Sequence, residues 1–149
     1  MKITVNSNNA VNKTRRLING LDFRKPLDEG ADLKLKEIQM NFDQQGRLYG
    51  GWEKLKDSTK RQRARLGYGP SRPILVRTGR LLKSFRKQVH KGYFVIKSTA
   101  GYAKYHQQNG RKGKVIPERK LAGDTDRFNM AFKQIIVNFM NRQIREVGL

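Results

Sequence analysis

The stretch "ILVRTGRLLKSFRKQVHKGYFVIKS", Ile74 to Ser98, decides the class of fold. It opens on Ile74, Leu75 and Val76, which read as a short strand or extended segment. Thr78 and Gly79 break that run. The Thr78 hydroxyl is suited to accept an orphan N–H of a following helical turn, and Gly79 gives the backbone room to turn. Leu81, Leu82 and Phe85 then supply the apolar face of one or two helical turns, with Arg80, Lys83 and Arg86 outside. From Gln88 to Lys91, across a turn at Lys91-Gly92, and on from Tyr93 to Ser98, the β-branched and aromatic residues read as a hairpin. Strand and helix signals thus interleave, and the strands are short and antiparallel.

Working outward, Leu27, Leu33, Leu35, Ile38, Met40 and Phe42 mark a helix from about Pro26 to Phe42. Gly30 is awkward inside it, costing about 1 kcal/mol relative to Ala. Before it, Lys2 to Asn6 alternates like a strand, and Asn8 or Asn9 is placed to cap a helix through Val11, Leu17 and Ile18. After it, Asp43 to Trp52 is a glycine loop, with Trp52 and Leu55 expected to pin it to the core. Ser58 and Thr59 begin a short, almost wholly basic helix, and Leu66 to Pro73 is a loop. Downstream, a short helix around Tyr102 to Gln107 ends at Asn109-Gly110 and leads into a basic arm. Asp124 or Thr125 caps a last helix through Phe128, Phe132, Ile135, Ile136, Phe139 and Met140, with Arg142 and Arg145 near its negative end. The expectation is one α+β domain over 1–149: a small antiparallel sheet packed by two longer helices, long basic loops and a C-terminal amphipathic helix.

The charge pattern narrows the function. The chain of 149 residues carries +21, yet no Asp or Glu occurs from Lys60 to Pro117, a span holding sixteen Lys or Arg. Eight of the twelve acids lie between Asp22 and Asp57. Such a field attracts polyanions and opposes self-association unless it is neutralised. Nucleic acid is the first partner to consider and an acidic protein surface the second. There is no cysteine, hence no disulfide or thiolate metal site. No run of about 18 apolar residues is present to span a membrane, and the first residues lack the apolar core of a secretion signal, so the protein is expected to stay where it is made.

Catalytic and cofactor patterns are thin. His90 and His106 have no metal-ligand spacing to another His or a carboxylate. His106 and the amides after it faintly resemble His/Asn nuclease motifs, but no carboxylate stands near to complete a metal site. "GRKGK", Gly110 to Lys114, is a basic turn without the P-loop pattern. No cofactor is expected. Tyr68, Tyr93, Phe94, Tyr102 and Tyr105 interleave with cations as in a single-strand stacking platform. Core use is the favoured reading for Phe94 and Tyr102.

The order of signals from Phe42 to Gly123 carries more. Trp52, Leu55 and Thr59 form W-x-x-L-x-x-x-T, and Leu75, Thr78, Gly79, Leu81 and Ser84 form L-x-x-T-G-x-L-x-x-S. Tyr102, Ala103, His106 and Gln107 follow, then Gly110, then Ile116, Pro117 and Arg119 as I-P-x-R, with Leu121 after it. This sequence of blocks resembles the virion-morphogenesis or tail-completion family of long-tailed bacteriophages, of the kind found in phage Mu, over about eighty residues (about 42–123). The spacing after His106-Gln107 is one residue longer than the family's compact form, and "PERKLAG" stands where the family more often has a second proline and an aromatic. Residues 1–41 and the helix at 124–147 lie outside the matching region.

The resemblance implies a non-enzymatic structural protein of the virion neck, assembled in the host cytoplasm. It implies a ring, usually of six copies, between head connector and tail tube around the DNA channel. The implied partners are further copies of the chain, the head-tail adaptor, the tail terminator or tail tube, and packaged DNA held by nonspecific phosphate contacts, with no membrane. Arg61, Arg63, Arg65, Arg77, Arg80, Lys83, Arg111, Lys112 and Lys114 are the candidates for the channel or a partner. Thr78, Gly79, His106 and Arg119 are expected to shape turns and hydrogen bonds, without chemistry. A sequence-nonspecific nucleic-acid-binding module is the alternative.

Overall fold

A computed structural model describes residues 8–69, 72–108 and 116–148. Among them, five α-helices and one two-stranded antiparallel sheet make an α+β fold. In chain order these are α1 (Asn8–Gly20), α2 (Arg24–Asp43), α3 (Asp57–Arg65), β1 (Phe85–Val89), β2 (Phe94–Ser98), α4 (Ala103–Gln107) and α5 (Asp126–Glu146). Single 3-10 turns occupy Arg47–Tyr49 and Leu82–Ser84. No helix among the described residues is long and apolar enough to cross a membrane. The expected strand at Lys2 to Asn6 lies outside them.

The centre of the fold is α2. Its buried positions, Leu27, Gly30, Ala31, Lys34, Glu37, Ile38, Asn41 and Phe42, recur at three- and four-residue spacing and form one stripe. Upstream, Asp22 accepts the Arg24 N–H and pairs with the Arg24 guanidinium at 2.6 Å. At Gly30 the α2 backbone meets the ring of Phe132 on α5; a Cβ there would stand 2.3 Å from that ring. The helix-propensity cost of the glycine is therefore offset by a close helix–helix approach.

The hairpin pairs Phe85 with Ser98, Lys87 with Ile96 and Val89 with Phe94 on its inner face, and Arg86 with Lys97 and Gln88 with Val95 on its outer face. Lys87 reaches Asp28 at 2.7 Å and Asp32 at 2.8 Å, one helical turn apart on α2. Of the two long helices only α2 lies broadly on the sheet. α5 packs along α2 and meets β2 mainly through Phe94, whose ring packs edge-on against Phe128 and Phe132. Thr125 caps α5, its hydroxyl accepting the Phe128 N–H at 3.1 Å. Around Phe42, the rings of Trp52 (5.1 Å between centroids) and Phe85 join Ile38, Ile74, Leu81, Ala100, Ala103 and Leu121 in the core.

The opening stretch differs from its reading in three places, one being that the first hairpin strand is Phe85–Val89 and not Gln88–Lys91. Ile74 to Val76 is a turn, with Val76 N–H donating to Pro73 C=O and Leu75 at φ +64°. A strand needs a partner, and the two-stranded sheet offers none there; Ile74 is buried as a turn anchor instead. Beyond Gly79 (φ +74°) the chain makes one turn rather than an α-helix. Ser84 ends it by bonding the Leu81 carbonyl and the Ser98 hydroxyl, both at 2.6 Å, which delivers Phe85 into β1. Leu81, Leu82 and Phe85 fit both readings, because one helical turn and a turn plus strand share that short pattern.

Candidate interface and the residues that build it

The segment from Ile116 to Gly123 has no strand partner among the described residues, so its backbone groups must be satisfied individually. The Lys120 carbonyl accepts from Trp52 Nε1 and from Asn41 Nδ2, both at 3.0 Å. The Gln107 amide acts as a strand would: its oxygen accepts the Leu121 N–H at 2.7 Å and its nitrogen donates to the Ala122 carbonyl at 2.8 Å. Arg119 N–H donates to the His106 carbonyl at 2.8 Å, while its buried guanidinium donates to the Glu53 carbonyl at 3.0 Å. Trp52, His106, Gln107 and Arg119, far apart in sequence, therefore meet along one strip. Pro117, which has no N–H to satisfy, is half-buried beside it.

Thr78 accepts the Arg80 N–H at a long 3.4 Å. Leu81 and Ser84 are buried, and Leu55 and Thr59 are half-buried, Leu55 against the core. Trp52 lies over Gly46, where φ is +86° and a Cβ would be 2.2 Å from the indole. Tyr102 departs from its expected core role. It is 40% exposed, its ring edge-on to His106, because its neighbour Ala103 takes the buried position.

A second polar network was not legible in the sequence. Lys34 and Glu37, both buried, pair at 2.5 Å, and Lys34 also donates to the Gly123 carbonyl at 2.9 Å and lies over the Phe128 ring. The Thr125 and Tyr49 hydroxyls both donate to Glu37. Burial and the Glu37 charge push the Tyr49 hydroxyl up to about 12. Charged residues inside an amphipathic helix read as its outer face, and only the contacts reveal otherwise. Burial, with Arg119 nearby, holds the His106 imidazole below its ordinary range, and its Nδ1 is buried without a hydrogen-bond partner. Among the described residues no group of three or more His, Cys, Asp or Glu is placed to hold a metal ion.

The cations behave differently. Arg61, Arg65, Arg77, Arg80 and Lys83 are exposed, as expected of an interface. Arg61 and Arg65 share one face of α3 at i,i+4 spacing, and Arg86 stands directly opposite Lys97 on the outer face of the hairpin. Like charges in either placement are destabilising, by about 0.2–0.5 kcal/mol on a helix. Of the cations described between Lys60 and Pro117, Lys60 and Lys87 take carboxylates, Asp57 for the first and Asp28 with Asp32 for the second. Arg63 differs from these in its setting. It is only 7% exposed, and its guanidinium donates to the carbonyls of Arg72 and Pro73, because its position on α3 faces the following loop. Arg111, Lys112 and Lys114 lie outside the described residues. Arg72, which sequence reasoning passed over, sits with Arg77 over the ring of Tyr68, at 5.3 and 5.9 Å.

Comparison with known protein families, with curated proteins and with solved structures finds no match to this chain.

Proposed function

We propose that this chain is a structural subunit of the neck of a long-tailed phage, a non-enzymatic ring, usually of six copies, between head connector and tail tube. The observation that carries the reading is the uncompensated cationic surface: Arg61 beside Arg65 and Arg86 opposite Lys97, each pair like-charged. A closed ring of such chains is tolerable only around, or against, an anionic partner. Duplex DNA in the channel supplies one charge per about 1.7 Å of axis without sequence readout. The meeting of Trp52, His106, Gln107 and Arg119 along one strip supports the resemblance on which the neck assignment rests, since it gives those blocks a common structural task. The adaptor on the head side and the tail terminator or tube on the other are the protein partners in this reading, and the virion its location.

Two measurements test it. Sedimentation of the purified chain, with and without short duplex DNA, is expected to give a discrete closed multimer. Lysates lacking the chain are expected to accumulate separate heads and tails. A chain that stays monomeric, binds DNA with a steep salt dependence and leaves particle assembly intact when absent would establish the alternative, a nonspecific nucleic-acid-binding module.

A further inference from the structure

Between α3 and the loop that follows it lies a cleft of about 350 Å3, lined by Lys54, Lys60, Arg63, Arg72, Tyr68 and Leu55 among others, with Ile74 and Ala64 completing an apolar floor. No carboxylate is among the described residues that line it. Asp57, the acid that pairs with Lys60 at 2.9 Å, neutralises one of its four cations. Arg63 is the informative member. It is 93% buried, yet no carboxylate pairs with it among the described residues, and its hydrogen bonds to the carbonyls of Arg72 and Pro73 are long, at 3.4 and 3.3 Å. Buried charges are costly unless paired. The same chain gives buried Lys34 a carboxylate. Buried Arg119 also lacks a carboxylate but holds the Glu53 carbonyl at 3.0 Å; Arg63, with longer contacts and three further cations lining its cleft, is left with a place for an anion brought by a ligand.

The remaining walls say which anion. A carboxylate would answer Arg63 but would leave Tyr68, flanked by Arg72 and Arg77, and the apolar floor without a role. A nucleotide uses all of them. Its phosphate suits the Arg63 guanidinium and the N–H groups of Arg72 other than the Nη1 that donates to the Arg77 carbonyl at 2.6 Å, and its base has an aromatic ring and aliphatic side chains to lie on. The volume is at the small end of ligand pockets, enough for one such unit. We propose that the cleft binds a phosphate-bearing ligand, one nucleotide unit of a nucleic-acid strand, with the phosphate on Arg63, Arg72 and Lys54 and the base against Tyr68. The inference stands on the cleft alone and holds whether the chain forms a ring or acts as a single copy.

The test uses the full chain and a fluorescein-labelled oligothymidylate of eight nucleotides, read by anisotropy. The double variant K54Q/R72Q is expected to weaken binding about tenfold, while R86Q/K97Q, the same charge change on the hairpin, is expected to weaken it about twofold. Tyr68→Leu is expected to weaken it severalfold without any change of charge, and Tyr68→Phe to retain it. Melting curves of each variant establish that it is folded. Thymidine monophosphate competing for the cleft identifies a mononucleotide as sufficient, and competition by oligonucleotide alone identifies a strand; both support the proposal. Equal losses in the two double variants, or a glutamate-rich peptide that displaces the oligonucleotide at lower concentration than unlabelled oligothymidylate does, would overturn it.

Discussion

Lys34 and Arg63 are both cations inside the fold, and they are treated in opposite ways. Lys34 has a carboxylate at 2.5 Å, a carbonyl at 2.9 Å and an aromatic face. Arg63 has two long carbonyl contacts and a cleft full of further cations. The first arrangement closes on itself and joins α2, the Gly46–Trp52 loop and the start of α5. The second is open on the side of the cleft. A polar group whose partners all come from its own chain is explained by folding. Arg119 is also buried without a carboxylate, but it holds the Glu53 carbonyl at 3.0 Å; Arg63 has only longer contacts and further cations around its cleft, the arrangement that suits a bound anion.

The contrast is sharpened by removing one member from each region. Glu37→Ala leaves the Lys34 ammonium in the interior with only the Gly123 carbonyl and removes the acceptor of the Thr125 hydroxyl; a loss of about 3–5 kcal/mol in denaturant unfolding is expected. A loss below 1 kcal/mol would mean that water replaces the carboxylate and that the network is not closed. Trp52→Ala removes the partner of Phe42 and the donor to Lys120, again with a cost of about 3–5 kcal/mol and a lower melting temperature. Gly30→Ala drives a methyl group into the Phe132 ring and is expected to cost about 1–3 kcal/mol by overpacking, where an ordinary helix site would gain from the change.

Arg63→Met tests the open side. It removes an unpaired buried charge along with weak hydrogen bonds, so stability in a buffer free of phosphate and nucleic acid should stay within about 1 kcal/mol of the parent. A loss as large as that of Glu37→Ala would make Arg63 a closed structural element like Lys34. The smallest effect concerns acid. The folded state holds the His106 imidazole below its ordinary value, so the unfolded chain takes up the proton first as pH falls through about 6.5. Stability is therefore full above that pH and declines below it. His106→Gln should flatten this slope in unfolding curves measured from pH 7 to 5, and an unchanged slope would assign the acid sensitivity to other groups.

How much of this was legible follows from the range of each interaction. α2 and α5 were readable because helical periodicity and the Thr125 cap are signals within a few residues. The turn of the hairpin and its second strand were readable from the β-branched and aromatic run after Lys91-Gly92, but the first strand lies at Phe85–Val89 rather than Gln88–Lys91, because its own residues carry only Phe85 and Val89 as strand signals. Trp52 as an anchor followed from a lone large aromatic after a glycine loop. Ile74 to Val76 was not readable, since three apolar residues suit a strand or a buried turn, and the lack of a third strand among the described residues decides between them. Gly30 looked like a defect until the α5 ring beside it was placed.

The amino-acid sequence by itself determined the positions of the long helices and of the turn and second strand of the hairpin, the acid-free cationic span and the lack of any thiol chemistry. All of these depend on residue type and near-neighbour spacing. Only the tertiary structure decided which charges are satisfied: that Glu37 serves Lys34, that Asp28 and Asp32 serve Lys87, and that Arg63 goes inside without a carboxylate. Counter-charge acts through space over a few ångströms and burial amplifies it, so the sign pattern along the chain leaves those pairings open until the backbone has brought the groups together.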